Sequence, residues 1–259
     1  MKVAVVIPHY RKQLTRDEKI SINHLNKYLD KYDKYLVLPE SIRKIPVKTS
    51  RLKIIHFPSE NFKSLATYSE LMNSKEFYQK FLDYKYILIY QLDALVFSDQ
   101  LVAWCKKDFD YIGAPFFKPL IGKLTHKNGQ EYSGGNGGLS LRKVASFIKV
   151  IEATEETATR NSKSSVTRKL WFLKALVKKL THKVWLNAAA RAYPFNEDGF
   201  WSFEAVKYDP NFRVAPFYEA LQFSFERFPK KCFKLNNKKL PFGTHGWAKY
   251  GRSFWRPYL

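Results

Sequence analysis

Short apolar runs and helical stripes alternate along the first hundred residues of this chain. Lys2–Ile7 has the pattern of a buried strand and is stopped by Pro8. Asp17–Leu29 places Ile20, Leu25 and Leu29 at helical spacing. Tyr35–Leu38, ended by Pro39, and Leu52–Phe57 predict a second and a third strand. Ser64–Leu82 reads as helical, and Tyr86–Asp93 reads as a strand buried on both faces that ends in a carboxylate. The order β-α-β-β-α-β predicts a doubly wound α/β unit with a mostly parallel sheet. Ligands in such sheets sit beyond the carboxyl ends of the strands. Asp93 therefore stands where an acid can hold a metal ion, and a metal ion can hold a diphosphate. An Asp at such a place can equally cap a turn.

Past Asp93 the pattern is more broken. Leu101–Lys106 predicts a short helix, Tyr111–Pro115 a strand and Val144–Thr157 a helix. Lys118–Ser133 and Thr159–Thr167 have the composition of loops. Residues 168–186 predict a basic amphipathic helix. Leu173, Leu176, Val177, Leu180 and Val184 line one face, and Lys174, Lys178, Lys179 and Lys183 the other. Such a helix either packs on the core by its apolar stripe or lies on an anionic membrane surface. No internal repeat and no domain boundary is visible, so residues 1–259 read as a single domain.

Charge changes the list of partners. The 45 Lys and Arg against 23 Asp and Glu give a net +22. That balance bears on partners, not on fold: nucleic acid, an anionic membrane or a polyanionic substrate. It is concentrated in two places, with a net +9 from Arg142 to Tyr193 and nine basic residues without an acid from Arg227 to Leu259. Cys105 and Cys232 form no disulfide framework, which suits a reducing cytosol. The N-terminus runs straight into a strand rather than a signal peptide, and no apolar stretch reaches membrane-spanning length. The expectation is a cytoplasmic protein, soluble or peripheral on the inner face of the membrane.

Four short motifs carry the candidate chemistry. Gln91-Leu92-Asp93 is the first. Gly134-Gly135-Asn136-Gly137-Gly138, followed by Leu-Ser-Leu-Arg142, is the second; it lacks the Gly-Lys-Ser/Thr of a phosphate loop, and its glycines permit close backbone approach to a ligand. The third, Asn196-Glu197-Asp198-Gly199, puts two acids before Phe200 and Trp201, where they either cap a helix or supply a general base. The fourth is Phe242-Gly243-Thr244-His245-Gly246-Trp247. Asp93 and His245 together are an oxygen and an imidazole ligand of the kind Mn²⁺ accepts.

In order and spacing these motifs resemble glycosyltransferases of the GT-A fold. Val3–Pro8 looks like their opening strand, Gln91-Leu92-Asp93 falls at their Asp-x-Asp motif with Gln91 in place of the first acid, and Asn196–Asp198 resembles their x-Glu-Asp motif. A bacterial glycosyltransferase-like family has a similar pattern, seen here also in Asp110–Pro115, Gly135–Arg142 and Phe242–His245. The resemblance implies a Rossmann-like, mostly parallel sheet flanked by helices, with the basic helix inserted. It implies a nucleotide-binding half over 1–115 and an acceptor-binding, catalytic half over 116–259. It further implies an inverting transfer from a nucleotide-sugar, UDP-linked by the habit of the fold, to a saccharide or lipid-linked saccharide in bacterial surface polysaccharide (lipopolysaccharide or capsule) synthesis. Pro8, His9, Tyr10, Gln91, Asp93 and Gly134–Gly138 would meet the nucleotide-sugar, and Asp93 with His245 would hold Mn²⁺ or Mg²⁺. Asp198 would be the base, Glu197 the second choice, and Trp201 and Trp247 would shape the acceptor pocket. Lys or Arg near the diphosphate could replace the metal. A nucleic-acid-binding protein and a metal-dependent phosphoryl transferase are the alternatives.

Overall fold

The computed structural model describes residues 2–117, 134–162 and 196–259. Strand β1 (Val3–Pro8) lies at the centre of a six-stranded sheet. It pairs in parallel with β2 (Asp33–Pro39) on one side and β4 (Tyr86–Tyr90) on the other, and β3 (Leu52–Phe57) extends the sheet beyond β2. Next to β4 comes β7 (Asn136–Lys143), antiparallel to both its neighbours, and then β6 (Tyr111–Ala114) at the far edge. The order is β3-β2-β1-β4-β7-β6. The expected mixed α/β architecture with a mostly parallel sheet is thus present, β7 being its one antiparallel member.

Alternation along the central strands builds two cores. Val3, Val5 and Ile7 of β1 and Tyr86, Leu88 and Tyr90 of β4 face helix α1 (Arg16–Leu29), whose Ile22, Leu25 and Leu29 complete the layer. Ala4 and Val6, with Ile87 and Ile89, face the opposite layer of Phe77, Phe81, Phe147 and Trp201. Both faces of β1 and β4 are therefore apolar, which is why these strands read as uninterrupted hydrophobic runs. Truncating such a side chain, Leu88→Ala for example, removes about 2–5 kcal/mol of stability. Helix α1 starts at a capping box in which Thr15 accepts from the Glu18 amide and Glu18 accepts from the Thr15 amide.

The predicted helix over Ser64–Leu82 is two helices, α2 (Leu65–Met72) and α3 (Lys75–Gln79). Ser74 breaks the run because its hydroxyl accepts from the Phe77 amide and caps a new helix instead of continuing the old one. Helix α4 (Leu101–Lys106) has its predicted bounds, and α5 (Val144–Ser162) runs five residues beyond its expected end at Thr157. The strand expected to end on Asp93 stops at Tyr90. The Ala94 amide donates to the Gln91 carbonyl at 2.9 Å, closing a turn that carries Asp93. The chain leaves the large sheet there and enters a second one, formed by β5 (Leu95–Val96), β9 (Gly243–Thr244) and β8 (Ser224–Phe225). A third apolar cluster, with Leu95, Phe225, Trp247 and Trp255, lies against this small sheet.

The basic helix over 168–186, the loop over 118–133 and residues 163–167 of the Ser-rich stretch lie outside the described residues. Among the described residues no helix is long and apolar enough to cross a membrane. Cys105 and Cys232 are buried free thiols.

Candidate active site

A cleft of about 440 Å³ opens at the carboxyl ends of β1 and β4. Its wall includes Pro8, His9 and Tyr10 after β1, Gln91, Leu92 and Asp93 after β4, and Lys63, Ser64, Leu65 and Tyr68 at the start of α2. This is the topological switch point, where the chain connections from β1 and β4 diverge. Arg11 and Glu18 also line it and form an ion pair. Burial holds the His9 imidazole below its ordinary pKa, and Glu18, 3.7 Å away, offsets this in part. Tyr10 is exposed at the mouth.

The fourth motif reaches the same place from the other end of the chain. Nε2 of His245 is 3.2 Å from Asp93 Oδ1 and 3.2 Å from Gln91 Oε1. Gln91 is held by its own Nε2, which donates to the Tyr68 hydroxyl at 3.2 Å. Burial works against charge on His245, but Asp93 and Glu226 outweigh it and raise the imidazole to about 10. Burial likewise works against ionised Asp93, and the His245 hydrogen bond overcomes it, leaving that carboxyl below its ordinary value.

A carboxylate oxygen, an amide oxygen and an imidazole nitrogen are donors that Mn²⁺ or Mg²⁺ accepts. Separations of about 3 Å are what neighbouring ligands have when each lies about 2.1 Å from one small cation. Among the described residues no cluster of three His, Cys, Asp or Glu side chains forms a metal cage. The residues present fit a divalent ion shared with a ligand: Asp93 and His245 from the sequence pair, Gln91 as the third protein donor.

The glycine cluster is largely a strand, not a loop. Asn136, Gly137 and Gly138 belong to β7, while Gly134 and Gly135 lead into it. What approaches Gly137 and Gly138 closely is the protein itself. A Cβ at Gly138 would lie 2.1 Å from His245 Nε2, and one at Gly137 would lie 2.4 Å from Glu197 Oε1. The glycines thus let the histidine and the acidic pair close onto one strand. None of them is on the cleft wall. Gly135 is fixed on both sides, its amide donating to Ser202 Oγ at 3.0 Å and its carbonyl accepting from the Tyr111 hydroxyl at 2.6 Å.

Glu197 and Asp198 form a short helical turn (Glu197–Gly199) that continues into a π-helical turn over Phe200–Glu204. Glu197 is buried and bound to Arg142, whose Nη2 lies 3.2 Å from Oε1. Arg142 is itself fully buried and donates to the Tyr78 hydroxyl and Ser140 Oγ. Asp198 has no cation partner among the described residues. Its Oδ1 accepts from the Gly199 amide at 2.8 Å, and its Oδ2 lies 3.4 Å from both the Gly137 amide and Asn136 Nδ2. Burial pushes the Asp198 carboxyl up, Glu197 and Glu226 push the same way, and the two backbone amides pull back only in part, leaving it at about 7.

Asn136 joins the two halves. Its Nδ2 lies 3.4 Å from Asp198 and 3.3 Å from Glu226 Oε1, and Glu226 is 3.6 Å from His245 Nδ1. Asp93, His245, Glu226, Asn136 and Asp198 form one continuous polar chain. Glu226 has no sequence signal, since a lone acid after a two-residue strand carries no pattern; its signal is spatial. Arg142 is visible in the sequence only as the end of the glycine motif. The acceptor-pocket role expected of Trp201 and Trp247 is overturned: both are 0% exposed. Trp201 stacks on Phe147 at 3.7 Å in the second core, and Trp247 lies in the third, so neither presents a surface to an acceptor.

The family described as "Protein of unknown function (DUF5672)" matches residues 51–245. The chain belongs to this family. The DUF5672 match takes in Gln91, Asp93, the glycine strand, Asp198 and Glu226 and ends on His245, while β1 and its Pro8–Tyr10 wall precede it. No curated protein matches the chain by sequence. Among solved structures, mouse xyloside xylosyltransferase 1 in its apo form aligns with a TM-score of 0.52 at 12% identity, covering 95% of this chain and 98% of that one. The apo-form glycosyltransferase GlyE of Streptococcus pneumoniae TIGR4 gives 0.49 at 15% identity and covers 100% of this chain; the chain spans 60% of that protein's length. The galactosyltransferase LgtC, in complex with donor and acceptor sugar analogs, gives 0.49 at 11% identity, with 99% and 100% covered. The likeness to the mouse enzyme shows that this DUF5672 chain has the GT-A-like fold.

Proposed function

We propose that the protein is a glycosyltransferase that moves a sugar from a nucleotide-sugar, UDP-linked by preference, to a saccharide or lipid-linked saccharide hydroxyl with inversion. The observation that carries this reading is a convergence. The switch-point cleft, the Gln91–Asp93–His245 donors and the uncompensated Asp198 carboxylate meet along one polar chain, on a fold shared with a xylosyltransferase. The nucleotide would occupy the cleft, with Tyr10 offering a ring to the base and Arg11 and Lys63 offering charge near the phosphates. Asp93, His245 and Gln91 would hold the divalent ion, which when bound neutralises charge on the leaving diphosphate. Asp198 would take the acceptor proton as the acceptor oxygen bonds to the anomeric carbon and the bond from that carbon to the diphosphate breaks. Glu197, spent on Arg142, would hold the loop and not serve as the base. The reaction would belong to cytoplasmic assembly of a surface polysaccharide.

A panel of nucleotide-sugars read by donor hydrolysis and by melting shift tests this. At least one nucleoside diphosphate sugar should raise the melting midpoint and be hydrolysed slowly without acceptor. A panel in which none binds, while oligonucleotides do, would sink the reading.

A further inference from the structure

The segment between the two site residues Glu226 and His245 has a surface that the transferase reading does not use. From Arg227 to Leu259 there are nine Lys and Arg residues and no Asp or Glu. Within this stretch Arg252 is paired, with Asp17. Lys230, Lys231, Lys234, Lys238 and Lys239 follow one another along the short helix Pro229–Leu235 and the turn after it. A segment so charged and without acids of its own is set up for an anionic partner.

Exposed rings lie in the same patch. Phe228, at the head of that helix, is 56% exposed and held in the left-handed backbone region at φ 56°. A bulky residue in that conformation is strained, and its phenyl ring stands out in water. Phe228 meets Phe117 edge-on at 6.2 Å, Phe117 meets Phe217 at 5.4 Å, and Phe217 meets Tyr218, which is 55% exposed. Lys231 Nζ lies 5.3 Å from the centre of the Phe117 ring. Lys231 thus joins the rings to the basic segment, on which Lys230, Lys234, Lys238 and Lys239 are also exposed. Beyond Phe228, Lys231 and Leu235 are exposed on the helix itself.

We propose that this surface, Tyr218 with Phe228–Lys239, docks the protein on a bilayer rich in anionic lipid. Phe228 and Leu235 would enter the boundary between headgroups and acyl chains, and Lys230, Lys231, Lys234, Lys238 and Lys239 would lie among the anionic headgroups. The exposed aliphatic Leu235 of the same segment distinguishes this from a nucleic-acid face: it gains nothing from phosphate or stacked bases, but it partitions into lipid. Because β8 and β9 join this segment directly to Glu226 and His245, a docked surface would hold the site close to the membrane. The inference stands independently of the transferase reading, since docking needs neither donor nor acceptor.

The test is co-sedimentation of the full-length protein with vesicles of phosphatidylcholine alone and with one-third phosphatidylglycerol, without nucleotide-sugar. Strong binding is expected to the anionic vesicles only, weakening as salt rises. Replacing Lys230, Lys231 and Lys234 together by Glu is expected to lower vesicle affinity about 100-fold or more, and Phe228→Ser about tenfold. Circular dichroism melting establishes that each variant is folded. A polarity-sensitive dye on Phe228→Cys, selective because Cys105 and Cys232 are buried, should shift to the blue on anionic vesicles. The proposal is overturned if neutral and anionic vesicles bind alike, if both variants bind like the wild type, if the dye does not shift, or if an oligonucleotide at the same salt binds tighter and displaces the vesicles.

Discussion

Glu197 and Asp198 are adjacent acids with different surroundings, and the proposed roles rest on that difference. Glu197 meets a guanidinium at 3.2 Å, whereas Asp198 meets only backbone amides, one amide side chain and two like charges. A carboxyl at about 7 is half ionised near neutrality, where a base is both available and strong enough to accept a proton. With Asp198 as the base, kcat/KM should rise with pH along an acid limb centred near 7, and Asp198→Asn should lower it by roughly 100-fold or more, removing the limb. The sign of the stability effect is independent of catalysis. The folded value lies above that of an unfolded Asp, so the native state holds the proton more tightly. The contribution of Asp198 to stability is therefore greatest below about pH 4 and is lost as pH rises to about 7. Denaturant melts across that window should show the stability of Asp198→Asn rising relative to that of the wild type as pH increases. Equal slopes with an unchanged rate profile would show that the carboxyl titrates normally and has no basic role.

At the scale of single elements, the central strands were legible because a strand buried on both faces leaves an uninterrupted apolar run. β1, β3 and α4 keep their expected bounds to within a residue. β7 was not legible. Its first three residues are Asn136, Gly137 and Gly138, and glycine reads as a loop because it is poor in strands when nothing requires its small size. The requirement lies far along the chain, in His245 and Glu197, which fill the space where the Cβ atoms would be. The burial of Trp201 was hidden for a related reason. A Trp after an acidic motif looks alike in sequence whether it lines a pocket or packs in a core, and only the layers of Phe147 and Phe212 decide between the two. The β7 geometry makes a prediction of its own. Gly138→Ala should displace the imidazole from Asp93 and Gln91 and weaken Mn²⁺ binding at least tenfold, with about 1–3 kcal/mol lost from overpacking. Titration of Mn²⁺ against the folded variant checks this, and an affinity equal to wild type would mean that His245 is not a ligand.

At the scale of the whole molecule, the two sheets divide the site between them. The large sheet ends its parallel strands at the cleft, and the small sheet brings Glu226 and His245 to the same edge through β8 and β9. Asp93 sits on the turn where the chain crosses from one sheet to the other, so its pairing with His245 ties the sheets together. The family resemblance pairs Asp93 with His245, but the second sheet that brings the histidine beside Asp93 consists of three two-residue strands and leaves no mark on the sequence pattern. This arrangement gives a linkage that neither sheet has alone. A cation held by Asp93, His245 and Gln91 would leave positions for diphosphate oxygens, so nucleotide and ion should each bind more tightly when the other is present. A ligand at 100 times its dissociation constant stabilises the fold by about 2.7 kcal/mol, which melting resolves easily. UDP with Mn²⁺ should therefore raise the midpoint by more than the sum of the two added separately. Excess chelator should abolish the surplus, and Asp93→Ala or His245→Ala should abolish it without removing the smaller shift from UDP alone. Additive shifts in the wild type would separate the nucleotide cleft from the Asp93–His245 pair and leave Arg11 and Lys63 as the groups that meet the diphosphate.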